Sequence, residues 1–165
     1  MNFRYYPIWV CAVALMLGGL ACQKKSTSPP PVAPPLRLTS TDAIYNPREW
    51  NKEHSIIFFF TDWCGYCTKM KKITLADSTV IAILNESFNC AIVNPDIDSQ
   101  VVYFDSSITC RQLANRYSVT GYPTAVFLCA NGVFIAPLVG YRQPIDFISI
   151  LERIRSGDYD AVCEE

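Results

Sequence analysis

Apolar positions along this chain fall into short continuous runs separated by segments with helical spacing. Ser55-Ile56-Ile57-Phe58-Phe59-Phe60 is unbroken and rich in β-favouring residues, which predicts a strand covered on both faces. Cys90-Ala91-Ile92-Val93 predicts a second buried strand and Thr124 to Cys129 a third. Helical spacing begins at Met70 and Ile73, straight after Cys67. It resumes after Asp77-Ser78, a cap pair followed by Val80, Ile83 and Leu84 on one face. Ser107 to Tyr117 predicts a further helix, and Pro144 to Arg155 an amphipathic one that closes the chain. Asn131-Gly132 reads as a hairpin turn leading into Val133-Phe134-Ile135. Strand, helix, strand, helix, hairpin, helix predicts an α/β sandwich with a mixed central sheet flanked by helices.

The first residues follow a different pattern. Arg4 precedes an apolar stretch from Ile8 to Leu17, then small residues and Cys22, the layout of a secretory signal peptide. The exit Leu17-Gly18-Gly19-Leu20-Ala21-Cys22 resembles a bacterial lipoprotein processing site, in which the cysteine becomes the lipidated first residue. Gly19 stands where that family prefers leucine. Plain cleavage near Ala21 and retention of the stretch as an anchor are the competing readings, and all three deliver the domain outside the cytoplasm. From Gln23 to Pro35 the composition shifts to proline, serine and threonine. Its prolines lack backbone donors and favour an extended conformation, so the segment reads as a semi-stiff tether, with a docking site for a proline-binding module as the alternative. The expected organisation is a signal peptide over 1–21, an anchor cysteine with its linker over 22–36, and one folded domain over 37–165.

Charge changes this picture little. Without the leader, which holds one of the 14 basic residues, 13 bases face 15 acids, so no basic excess points to nucleic acid. Cysteine changes it more. Eight cysteines in 165 residues fit a compartment where thiols are oxidised. Cys90 and Cys129 fall in predicted strands, where cysteine often serves as a small hydrophobe. Cys110 opens a predicted helix and Cys163 sits in the tail. A Cys110–Cys163 bridge is one possible pairing, but connectivity stays open at this level.

Trp63-Cys64-Gly65-Tyr66-Cys67 lies at the junction of the first strand and the following helix. A two-residue spacer on a first helical turn brings two cysteines to disulfide distance. The first of them meets unpaired backbone N–H groups, which favour its thiolate. Cys64 is therefore the expected nucleophile and Cys67 the resolving thiol. Haem attachment would need histidine where Thr68 stands. A zinc site would need two more ligands, while the one histidine is His54 and no second Cys-x-x-C exists. Neither a metal nor a bound cofactor is expected. A passive structural disulfide remains the rival reading. Downstream, Gly121-Tyr122-Pro123-Thr124 enters the third strand, where a proline is hard to place without a purpose.

With these residues in view, the chain resembles the thioredoxin superfamily over roughly residues 45–155. The carrying stretches are Asp62 to Met70, Leu113 to Thr124, and Gly140-Tyr141. Within it the chain looks similar to periplasmic thioredoxins of the sulfur-oxidation-associated (SoxW-like) kind. Its Gly65-Tyr66 dipeptide resembles that of periplasmic disulfide isomerases. The resemblance implies a thioredoxin-like three-layer sandwich and a cis-proline, Pro123, facing the cysteines. Trp63, Gly65, Tyr66, Tyr122 and Pro123 would then contact substrate. It also implies protein thiols and disulfides of the periplasm as partners, with a membrane thiol donor behind them and a lipid anchor at Cys22. Many thioredoxins carry a buried aspartate six residues before the first active-site cysteine, and here that position is Phe58. Two functions follow as expectations: an exported thiol–disulfide oxidoreductase that reduces or isomerises disulfides, or a tethered thioredoxin-fold binding module with a non-catalytic disulfide.

Overall fold

The computed structural model describes residues 34–46, 48 and 51–163, and the expected signal peptide and Cys22 lie outside them. A four-stranded sheet forms the centre, in the order β2 (Phe88–Val93), β1 (His54–Phe59), β5 (Thr124–Cys129) and β6 (Phe134–Val139). β1 runs parallel to β2, with Phe59 opposite Val93, and antiparallel to β5, with Phe59 opposite Thr124. Because β1 and β5 are the inner strands, all of their residues are buried, which is why both read as unbroken apolar runs.

Alternation along β1 sends successive side chains to opposite faces. On one face Ile56 and Phe58 join Val80 and Leu84 of α3 (Ser78–Ser87) and Phe147, Leu151 and Ile154 of α5 (Pro144–Arg155). Cys67 and Met70 belong to this layer. On the other face Ile57 and Phe59 pack with Ile44 and Tyr45 of α1 (Thr41–Tyr45), with Leu113 of α4 (Cys110–Arg116) and with Tyr117, which caps that helix. Each such side chain, fully buried, contributes about 1.5–3 kcal/mol. The three-layer sandwich with a mixed sheet is thus present.

Helix boundaries follow their caps. Asp77 Oδ1 accepts from the backbone N–H of Thr79 and Val80 at 2.9 and 3.0 Å and starts α3. Pro144 opens α5, and Arg153 and Arg155 close it, which suits the helix dipole. Pro35 and Leu36 already touch the domain: Asn85 Nδ2 donates to the Pro35 carbonyl, and Leu36 packs on the core.

Two expectations are corrected. The helix anticipated over Ser107–Tyr117 is shorter, because β3 (Gln100–Tyr103) and β4 (Ser106–Thr109) form a separate hairpin before it. Thr109 then starts α4 through a reciprocal capping box with Gln112. The tail cysteine does not pair with Cys110. Cys163, at the end of α6 (Asp160–Cys163), is bonded to Cys129 with a Cα–Cα distance of 5.5 Å, while Cys110 and Cys90 are buried free thiols.

Candidate active site

β1 ends beneath the site. Phe60 N–H donates to the Val93 carbonyl, and a turn closed by Cys64 N–H to the Thr61 carbonyl then carries Asp62 and Trp63 outward. Cys64 is the N-cap of α2 (Gly65–Lys69), which continues as a π-helical segment over Met70–Thr74. Its Sγ accepts from the Cys67 N–H at 3.0 Å. Cys64 and Cys67 are joined as a disulfide with a Cα–Cα distance of 5.2 Å. Cys64 keeps 6% of its surface open and Cys67 1%, so an approaching group meets Cys64 first. A Cβ at Gly65 would meet nothing within 4 Å, which leaves the backbone there open to a partner.

Trp63 and Tyr66 flank the disulfide and are 74% and 63% exposed. Trp63 Nε1 donates to Asp96 Oδ2 at 2.7 Å, and Asp96 Oδ1 lies 3.6 Å from Arg111. Tyr122 meets Trp63 edge-on at 5.9 Å, and the Tyr122–Pro123 peptide bond is cis. Burial, and then the negative charge of Asp96, raises the Tyr122 hydroxyl pKa. On the other side Tyr66 stacks against Tyr141 at 6.4 Å. Sequence reasoning assigned no role to Asp96, Arg111 or Tyr141. Asp96 and Tyr141 join the site through contacts across more than thirty positions, and Arg111 joins it through Asp96, so no local pattern marks them.

At the position where many thioredoxins hold an acid, Phe58 is fully buried, 5.7 Å from the Phe60 ring and 6.2 Å from the Phe147 ring. Asp62 is exposed and accepts from Asn94 Nδ2 at 3.3 Å. Among the described residues, no group of three or more histidines, cysteines or carboxylates is arranged to hold a metal ion.

A strand-to-helix junction carrying a Cys-x-x-C disulfide, in a chain whose Tyr122–Pro123 bond just before β5 is cis, can be compared with known proteins. The family model described as a thioredoxin-like domain matches residues 48–155. Over 102 residues the chain is 29% identical to the thiol:disulfide interchange protein DsbD of Ralstonia nicotianae, covering 58% of this chain but 14% of that protein. Among solved structures, a thioredoxin-fold protein from Helicobacter pylori superposes with a TM-score of 0.61 at 23% identity, covering 73% of this chain and 81% of that one. A thioredoxin from Thermus thermophilus gives 0.54 at 27% identity, covering 68% and 80%. A DsbH oxidoreductase gives 0.56 at 21% identity, covering 79% and 91%. With its matched region extending from before β1 to the end of α5, the chain belongs to the thioredoxin-like domain family.

Proposed function

We propose that this protein is an exported thiol–disulfide oxidoreductase that reduces or isomerises disulfides of extracytoplasmic proteins. The observation that carries the reading is the Cys64–Cys67 disulfide at the start of α2, with Cys64 Sγ held by a backbone N–H at 3.0 Å. In the reduced protein the same N–H favours negative charge on Cys64. The Cys64 thiolate attacks one sulfur of a target disulfide; the target S–S bond breaks and a mixed disulfide forms. Cys67, deprotonated, then attacks Cys64 Sγ and releases the second target thiolate. Two electrons pass to the target, the two protons end on its thiols, and Cys64–Cys67 is left oxidised. With Phe58 in place of an acid, the proton of Cys67 leaves through solvent, so the resolving step is the slow one.

Trp63, Gly65, Tyr66, Tyr122 and Pro123 serve as the substrate-contacting set, with target backbone pairing beside Tyr122. The electrons come from a membrane thiol donor. The reading includes a SoxW-like role and a lipid on Cys22, which would tether the domain to a membrane through its proline-rich linker. It is supported by the name of the Ralstonia relative, a thiol:disulfide interchange protein. The test is a Cys67→Ser variant produced with its own leader. It should accumulate mixed disulfides with extracytoplasmic proteins through Cys64; a variant that traps none would favour a binding module with a passive disulfide. Separately, Cys22→Ala should abolish lipid labelling and leave the precursor unprocessed. Normal cleavage and release of that variant would contradict the anchor.

A further inference from the structure

The two flanks of the dithiol differ in charge and in how they are built. The Trp63 flank is acidic: Asp62 precedes the tryptophan, Asp96 accepts its indole N–H, and Asp98 shares a surface hollow with Asp96 and with Arg111. The Tyr66 flank is basic. Lys69 lies one turn along α2 from Tyr66, with its Nζ 4.5 Å from the centre of the Tyr141 ring. Lys72 follows Lys69 by three positions and Arg142 follows Tyr141, while the acids Asp77 and Asp146 come five positions after Lys72 and four after Arg142.

This basic flank is also a fixed apolar surface. Gly140, at φ +89°, donates its N–H to the Pro123 carbonyl at 2.7 Å, and Thr74 Oγ1 donates to the Arg142 carbonyl at 2.5 Å. These two bonds clamp the Gly140-Tyr141-Arg142 loop between the start of β5 and the end of the π-helical segment that follows α2, and Tyr141 stacks on Tyr66. Ile73 adjoins Thr74 and Ile145 follows the loop; both are exposed, Ile145 by 71%. Exposed large apolar side chains on the segments that this clamp holds are the kind of residue that marks an interaction surface.

Resting on the redox reading above, we propose that the Tyr66–Tyr141 pair, with Lys69 and Arg142, is a docking surface for an acidic segment of the target protein. The target presents, beside its cystine, an apolar side chain that packs on the two tyrosines and a carboxylate that meets Lys69. Acids on the opposite flank repel the reverse orientation, so the surface selects which target sulfur faces Cys64.

The test uses the full chain, reduced and desalted, in single turnover against two cyclic cystine peptides that share an apolar residue beside the disulfide. One carries glutamate next to it, the other lysine. The glutamate peptide should be reduced about fivefold faster at low ionic strength, and the gap should close as salt rises. Lys69→Glu should invert the preference, and Tyr141→Ala should slow both peptides relative to hydroxyethyl disulfide. Equal rates for the two peptides, or a preference that survives Lys69→Glu, would overturn the proposal. So would a dimer in light scattering that Lys69→Glu dissolves, because the occupant would then be a second copy of this chain. If the wild-type chain reduces neither the peptides nor hydroxyethyl disulfide, the redox reading itself fails and this inference falls with it.

Discussion

Removing the second disulfide by Cys163→Ala should cost the domain a large share of its stability. The Cys129–Cys163 bridge spans 34 residues, from the end of β5 to the end of α6. Closing a loop of that size removes about 12–13 cal/mol/K of entropy from the unfolded chain, or about 4 kcal/mol at 25 °C. The folded side adds little. Cys129 stays buried as a small apolar side chain, and the tail keeps a hydrogen bond from Asn131 Nδ2 to the Cys163 carbonyl at 3.2 Å. With a urea m-value of about 2 kcal/mol/M, the midpoint should fall by about 2 M. Urea unfolding followed by far-UV circular dichroism, with Cys64–Cys67 kept oxidised, measures this directly. Cys129 and Thr124 stand at opposite ends of β5, about 17 Å apart along the strand, so Cys64 alkylation after reduction should be unchanged. A midpoint within about 0.3 M of the parent would refute the reasoning, since the bridge would then not restrain the unfolded chain.

Stability should fall in alkali. Burial pushes the Cys90 thiol from 9.0 up to about 12, and burial first of all pushes Tyr117 from 10.0 up to about 12, with Tyr45 raised as well. A raised folded pKa gives stability that is complete below the unfolded value and is lost as pH climbs toward the folded one. The unfolding free energy measured by urea titration should therefore decline from about pH 9, at about 1.4 kcal/mol per pH unit for each proton, and more steeply above 10. Cys90→Ala should flatten the pH 9–10 portion; an unchanged slope would assign it elsewhere. Asp77→Ala should cost about 1 kcal/mol in the same assay through loss of the α3 cap, and no loss would mean that Thr79 and Val80 find other partners. In the reduced protein near neutral pH, alkylation followed by peptide mapping should label Cys64 before Cys67. Faster labelling of Cys67 would reverse the two roles.

What was legible in the sequence tracks how local the controlling physics is. β1, β5 and α5 were readable because burial on both faces, or on one helical stripe, writes itself into consecutive residues. The Cys64–Cys67 pair was readable because its chemistry needs only four positions. The β3–β4 hairpin was not. Its connection is Phe104-Asp105, with Phe104 at φ +51°, a conformation usually given to glycine or asparagine, so no turn signal stood out. The Thr109–Gln112 capping box marks the true start of α4, two residues after the Ser107 where the expected helix began. The Cys129–Cys163 pairing and the Asp96 and Tyr141 contacts depend on the finished sheet and on loops brought together by it.

The central claim is that Cys64–Cys67 is a working redox couple rather than a staple. The direct measurement is its reduction potential in the full chain, equilibrated in thiol buffers of graded poise. Alkylated peptides containing Cys64 and Cys67 should be read separately from those containing Cys129 and Cys163. The account predicts reversible reduction at a potential between about −270 and −120 mV, the range of catalytic dithiols. A Cys64–Cys67 bond that stays closed down to about −300 mV, as structural disulfides do, would contradict it.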